Sequence, residues 1–228
     1  IQHGHYVLRH EAYFMNFIDS YDWYDNVLVW GKYWQDIIIK NSKLFSKEFH
    51  LIGSKKLPFE LVENYSKNNK SILIPYEFLS DTIKVGTYIK QLMDLDFQIF
   101  FKIRPDRNAK IQIETLNLGN YATRLNIIKD ITPTLMQKID IVAGTMSTLV
   151  FDLLFFNKPT WIFSDAYKFL DDMVENNLAR RISDTDMLDI ENIYFQEMKN
   201  QSKIDISYLF DESNMADTIR SFINSNDK

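Results

Sequence analysis

The chain has 228 residues, 46% hydrophobic and 25% charged, the proportions of a globular protein long enough to bury a large core in one domain or in two lobes. Its net charge of −5 argues against a nucleic-acid partner held by broad phosphate neutralisation. With no cysteine it has no disulfide framework, thiolate metal site or cysteine nucleophile, which suits a reducing cytoplasm, and its longest apolar run, Ser147 to Phe156, is broken by Asp152 and is shorter than the roughly 18–20 residues of a membrane span.

The chain opens on Ile1 and runs at once into Gln-His-Gly-His-Tyr without a leader pattern, so it is read as a fragment that lacks its upstream part. Asn26 to Gly31 is a short apolar run closed by glycine, and the next residues, Lys32 to Lys40, have helical spacing; together they predict a strand and then a helix. That spacing assigns Trp30, Tyr33 and Trp34 to the core. A second strand is expected over Phe49 to Ser54. The polar stretch Ser66 to Lys70 reads as a crossing between two lobes, residues 1–68 and residues 69–228.

Ser71 to Tyr76 is a continuous apolar run of the kind buried on both faces of a parallel sheet. A helix capped by Ser80 or Asp81 follows, then a strand within Phe97 to Pro105, another in Leu125 to Asp130, and a short helix after Pro133. The alternation continues through a strand over Asp140 to Gly144, a helix from Ser147 and a strand over Thr160 to Phe163. Helices are expected around Tyr167 to Asn177, Asp186 to Lys199 and Ser213 to Asn224. Strands alternating with helices predict an α/β fold with a Rossmann-type parallel sheet. None of the six glycines stands in a dinucleotide fingerprint or a Walker loop, so a bound nucleotide is held another way.

One loop concentrates small and hydroxyl-bearing residues: Gly144, Thr145, Met146, Ser147 and Thr148 lie between a strand and a helix. In a parallel sheet that is the ligand side, where helix N–H groups favour an anion. The loop is a candidate phosphate cradle, and Thr145 or Ser147 can equally serve as a plain helix cap. Glu77, just after its strand, emerges on the same side, either to meet ribose hydroxyls or the acceptor or as a solvated charge. Two Asp-x-Asp strings, at Asp94 and Asp184, fall at helix boundaries and are discounted as metal motifs. No metal is expected.

The stretch from Gly144 to Phe163, a small-residue loop, a helix with Asp152 and a Lys-Pro turn into a strand, resembles the C-terminal signature of GT-B glycosyltransferases. It is most similar to bacterial surface-polysaccharide enzymes of capsule and lipopolysaccharide synthesis, including the CDP-glycerol glycerophosphotransferase group. The resemblance implies that Thr145, Ser147 and Thr148, with Gly144 and Met146, hold donor phosphate. Asp152 matches a helix carboxylate by position; a charge favoured by the helix dipole is the other reading. Gln2-His3-Gly4 looks like the Gln-His-Gly stretch that ends a cleft strand in these enzymes, which implies His3 as the base that activates the acceptor. Read from its residues alone, His3 is as well a packed histidine, or a metal ligand with His5. In Phe100 to Asp106, Arg104 stands where several relatives carry a nucleotide-contacting His, a departure that leaves phosphate binding and a surface charge as its two readings.

The resemblance implies the C-terminal part of a metal-independent GT-B enzyme. It would need no cofactor, use a nucleotide sugar as donor substrate and a glycan or lipid-linked glycan as acceptor, and work in the cytoplasm, with peripheral association at the inner face of the plasma membrane. A UDP-sugar 2-epimerase-like enzyme of the same fold and a non-catalytic interaction lobe are the alternatives.

Overall fold

The computed structural model describes residues 26–41, 48–53, 69–77, 80–105, 108–164, 170–200, 204–211 and 215–226. The chain divides into two compact units, Ile1–Glu60 with Asp205–Lys228, and Leu61–Ile204.

In the first unit β1 (Asn26–Val29) pairs in parallel with β2 (Glu48–Leu51), Val27 opposite Phe49. Between them α1 (Lys32–Asn41) buries Tyr33, Trp34, Ile37 and Ile38, neighbours at helical spacing that form one apolar stripe.

The second unit is a six-stranded parallel sheet. Its strands are β3 (Ser71–Pro75), β4 (Gln98–Lys102), β5 (Asn126–Ile128), β6 (Ile141–Gly144), β7 (Thr160–Phe163) and β8 (Arg180–Ile182). Every residue of β3, β6 and β7 is buried, as their unbroken apolar runs require of central strands covered on both faces. The crossovers carry α2 (Thr82–Asp94), α3 (Ala109–Glu114), a 3-10 helix (Gly119–Arg124), α4 (Pro133–Met136), α5 (Leu149–Leu153) with a 3-10 turn (Leu154–Phe156), and α6 (Asp171–Glu175). A 3-10 turn (Asp186–Asp189) and α7 (Ile190–Lys199) follow β8.

Of the two expected caps on α2, Asp81 serves: its side chain accepts the Lys84 N–H at 3.0 Å. The buried face of this helix is Val85, Gly86, Tyr88, Ile89, Leu92 and Met93. At Gly86 the helix lies directly on the backbone of Leu116, where an added Cβ would stand 1.9 Å from the carbonyl oxygen. Backbone cannot give way as a side-chain tip does. Gly86→Ala is therefore expected to destabilise the protein by about 2–3 kcal/mol despite alanine's better helix propensity; chemical denaturation of the variant measures it.

The tail departs from expectation. Residues from Asp205 onward group with the first unit and not with the lobe that precedes them. The reason is aromatic: α8 (Ile206–Leu209) brings Tyr208 to within 5.9 Å of Tyr33, ring centre to ring centre, and Phe210 to within 6.5 Å of Trp30. The Asp211 N–H donates to the Trp30 carbonyl at 2.8 Å, and α9 (Met215–Asn226) completes the tail. Trp30, Tyr33 and Trp34 are thus core residues, buried and packed edge to face.

Candidate functional site

The sheet order β5-β4-β3-β6-β7-β8 makes β3 the first strand, with β4 and β5 laid to one side and β6, β7 and β8 to the other. The order reverses between β3 and β6. In such sheets the crevice beyond the carboxyl ends of the two central strands takes the ligand. Glu77 follows β3 and Gly144 to Thr148 close β6, so the sequence candidates flank this switch point from both sides.

They also bind each other. Glu77 is buried, and one carboxylate oxygen, Oε2, accepts the N–H of Thr145 at 2.8 Å, the N–H of Met146 at 2.9 Å and the Thr145 hydroxyl. The other oxygen, Oε1, accepts the Ser147 N–H at 2.6 Å. Successive backbone N–H groups curl around an anion in this way whenever a loop forms a concave nest, and here the anion is the chain's own. Burial pushes the Glu77 pKa up, and the hydrogen bonds from the Thr145 hydroxyl and the three loop N–H groups only partly oppose it. Of the readings made for Glu77 from sequence, the solvated charge gives way, because the carboxylate is buried against the loop.

Gly144 has a matching reason. A Cβ there would stand 2.9 Å from Glu77 Oε1 and 2.8 Å from Val150 Cγ2, so the absent side chain makes room for the carboxylate. Thr145, 2% exposed, faces Glu77. Ser147 also works as a cap, its hydroxyl accepting the Leu149 N–H at 3.3 Å. Thr148 is exposed and makes no side-chain capping bond to α5. The outward face of the loop therefore presents the Thr148 hydroxyl beside Ser147, while its inward N–H groups are occupied. Asp152 lies in the first turn of the five-residue α5, half-buried.

Arg104 stands two residues beyond β4 on the same edge of the sheet, and its side chain is exposed. Its backbone is clamped by Gln112 of α3, wholly buried, whose amide accepts the Arg104 N–H at 2.8 Å and donates to the Arg104 carbonyl at 2.9 Å. Sequence reading passed over Gln112; a lone glutamine on a short helix gives no signal until the strand end it holds is known. His3 and the Gln-His-Gly stretch lie outside the described residues. Asp184 accepts hydrogen bonds from Lys84, at 3.3 Å, and from the Tyr88 hydroxyl, which gives its Asp-x-Asp string a structural use.

No protein-family model matches the chain, and no curated protein matches it. Solved structures do. The UDP-GlcNAc 2-epimerase of Methanocaldococcus jannaschii, in complex with UDP-GlcNAc and UDP, superposes with a TM-score of 0.59 at 11% identity over 88% of this chain and 61% of that one. The wall teichoic acid polymerase TagF gives 0.51 at 16% identity over 93% and 60%. MnaA of S. aureus, solved with UDP, gives 0.50 at 14% identity over 83% and 57%. The chain spans about 60% of the length of these structures. Identities this low speak to architecture alone, and the architecture they establish is an α/β fold of the GT-B type, with a Rossmann-like parallel sheet.

Proposed function

We propose that the chain is part of a metal-independent glycosyltransferase that moves a sugar, or a polyol phosphate, from a nucleotide-activated donor to a hydroxyl of a growing surface glycan. The observation that carries the reading is the meeting of Glu77 with the Gly144–Thr148 loop at the switch point of the sheet. The nucleotide-sugar and polymer-building structures that share the fold support it.

With three loop N–H groups tied to Glu77, donor phosphate falls to the hydroxyls of Ser147 and Thr148 and to the guanidinium of Arg104 on the neighbouring strand end. Glu77 holds the loop from behind through its inward N–H groups, which leaves the outward hydroxyls to face an incoming diphosphate. In the reaction, His3 removes the acceptor proton and the acceptor oxygen attacks the donor: at the anomeric carbon of a sugar, releasing the nucleoside diphosphate, or at the phosphorus of a polyol phosphate, releasing the nucleoside monophosphate. The loop hydroxyls and Arg104 stabilise the charge that grows on the leaving phosphate. Direct displacement with inversion is the simplest course. The donor is a substrate, no cofactor is required, and the acceptor is a glycan or lipid-linked glycan met in the cytoplasm, at the inner face of the plasma membrane when lipid-linked. No helix among the described residues is long and apolar enough to cross a membrane.

A panel of CMP, CDP, UDP and GDP in thermal-shift assays tests the reading, since a ligand that binds the folded state raises its stability. Ser147→Ala and Thr148→Ala are each expected to weaken binding of the nucleotide diphosphate by about 1–3 kcal/mol, the scale of a hydrogen bond to a charged group. Unchanged calorimetric affinity in the double variant would remove the loop from the site. The likeness to the M. jannaschii enzyme favours one second reading, a UDP-sugar 2-epimerase, which would convert UDP-GlcNAc with no acceptor present.

A further inference from the structure

Because every strand of the sheet runs the same way, residues that precede a strand lie on the edge opposite the switch-point loops. On that amino edge Lys158 stands two residues ahead of β7 and Arg180 begins β8. Lys158 is 4% exposed and lines a cavity of about 180 Å³ together with Asn177, Leu178, Arg180, Glu197 and Ile204. Among the described residues its Nζ makes neither a hydrogen bond nor an ion pair. Asp140 attracts it only at longer range, and Oδ2 of that carboxylate already accepts the Ser71 N–H at 3.2 Å and the Tyr194 hydroxyl at 2.7 Å. Burial lowers the Lys158 pKa accordingly.

An ammonium carries three donors, and that of Lys158, on a side chain otherwise buried, reaches the cavity with all three available to an acceptor there. Arg180 adds a second cation, whose Nη1 reaches Glu197 only at 3.6 Å. Lys158 and Arg180 line the cavity with Glu197; Asp140 and Asp186 act on the two cations from outside that lining, and the cavity's volume exceeds that of several waters.

We propose that this cavity is a binding site for a small oxyanion, a phosphate or carboxylate group held by Lys158 and Arg180 and separate from the donor site. Lys158 closes on it from the buried side; Arg180, half-buried, closes from the rim. The site does not depend on the transferase reading, since it stands on the other edge of the sheet.

The test uses the full chain, with inorganic phosphate and, in a second arm, acetate, at ionic strength held constant with sodium chloride. One of the two should raise Tm by a few degrees at about a hundred times its Kd, and which one does so tells phosphate from carboxylate recognition. Lys158→Met should abolish the shift, and Arg180→Gln should weaken binding tenfold or more. Affinity for the nucleotide diphosphate should stay within twofold in both. The Ser147→Ala, Thr148→Ala double variant should keep the full shift. Wild type unmoved by either anion overturns the proposal, as does a shift that survives in both cavity variants. Should Lys158→Met not fold, Arg180→Gln at the rim decides alone.

Discussion

Replacing Glu77 by alanine is expected to destabilise the second unit by about 3–5 kcal/mol, because it strips the acceptor from one buried N–H, two part-buried N–H groups and a buried hydroxyl at once. Glu77→Gln should cost less, since its amide oxygen still accepts while its NH₂ faces donors. The pH dependence separates the two contributions of the wild-type residue. A carboxyl whose pKa is higher folded than unfolded binds more protons in the native state, so its contribution is full below the ordinary value of 4.5 and is lost as pH rises through the elevated one. Ionised Glu77 is thus costly to bury and still worse to remove. Urea titration followed by fluorescence of the wholly buried Trp161 reports both effects. Stability of Glu77→Ala within about 1 kcal/mol of wild type, well short of several lost hydrogen bonds, would show that the loop does not need its anion. Added formate should return part of the loss, by putting a carboxylate back into the nest.

The second large effect concerns turnover. On the transferase reading, His3→Asn in the full-length protein should lower turnover roughly 10²–10⁴-fold at saturating donor and acceptor while leaving affinity for the nucleotide diphosphate nearly intact. A histidine with a pKa near 6.5 is largely neutral at cellular pH and can take a hydroxyl proton; asparagine keeps some hydrogen bonds but cannot accept one. The split between binding and turnover distinguishes a base from a donor ligand. Near wild-type turnover would make His3 a structural residue.

The parts of the fold legible in the sequence were those that bury both faces of a strand or one face of a long helix. Ser71–Pro75, Ile141–Gly144 and Thr160–Phe163 announce themselves as apolar runs, and α2 by its cap and period. β8 gave no such signal: it is three residues long at the edge of the sheet, and of Arg180, Arg181 and Ile182 only the last is buried. The short α3 and the 3-10 helix after it, which clamp and cover rather than span, were missed for a similar reason. At the candidate site the loop was legible and its anion was not. Glu77 and Thr145 are 68 residues apart, and nothing in either stretch says that β6 will lie beside β3 with β4 on the far side. A hydroxyl-rich loop that looks made for a ligand's phosphate is, on its inner face, already satisfied by a carboxylate.

The return of Tyr208 and Phe210 to the cluster of Trp30 and Tyr33 sets an order on biosynthesis. Leu61–Ile204 is continuous and can close as soon as it has left the ribosome, whereas the first unit is split by that whole span. At about 5–20 residues per second, Tyr208 and Phe210 reach this cluster on the order of 7–30 seconds after Glu60 has been made. The packing of the first unit is thus completed only after the whole of the second has been synthesised.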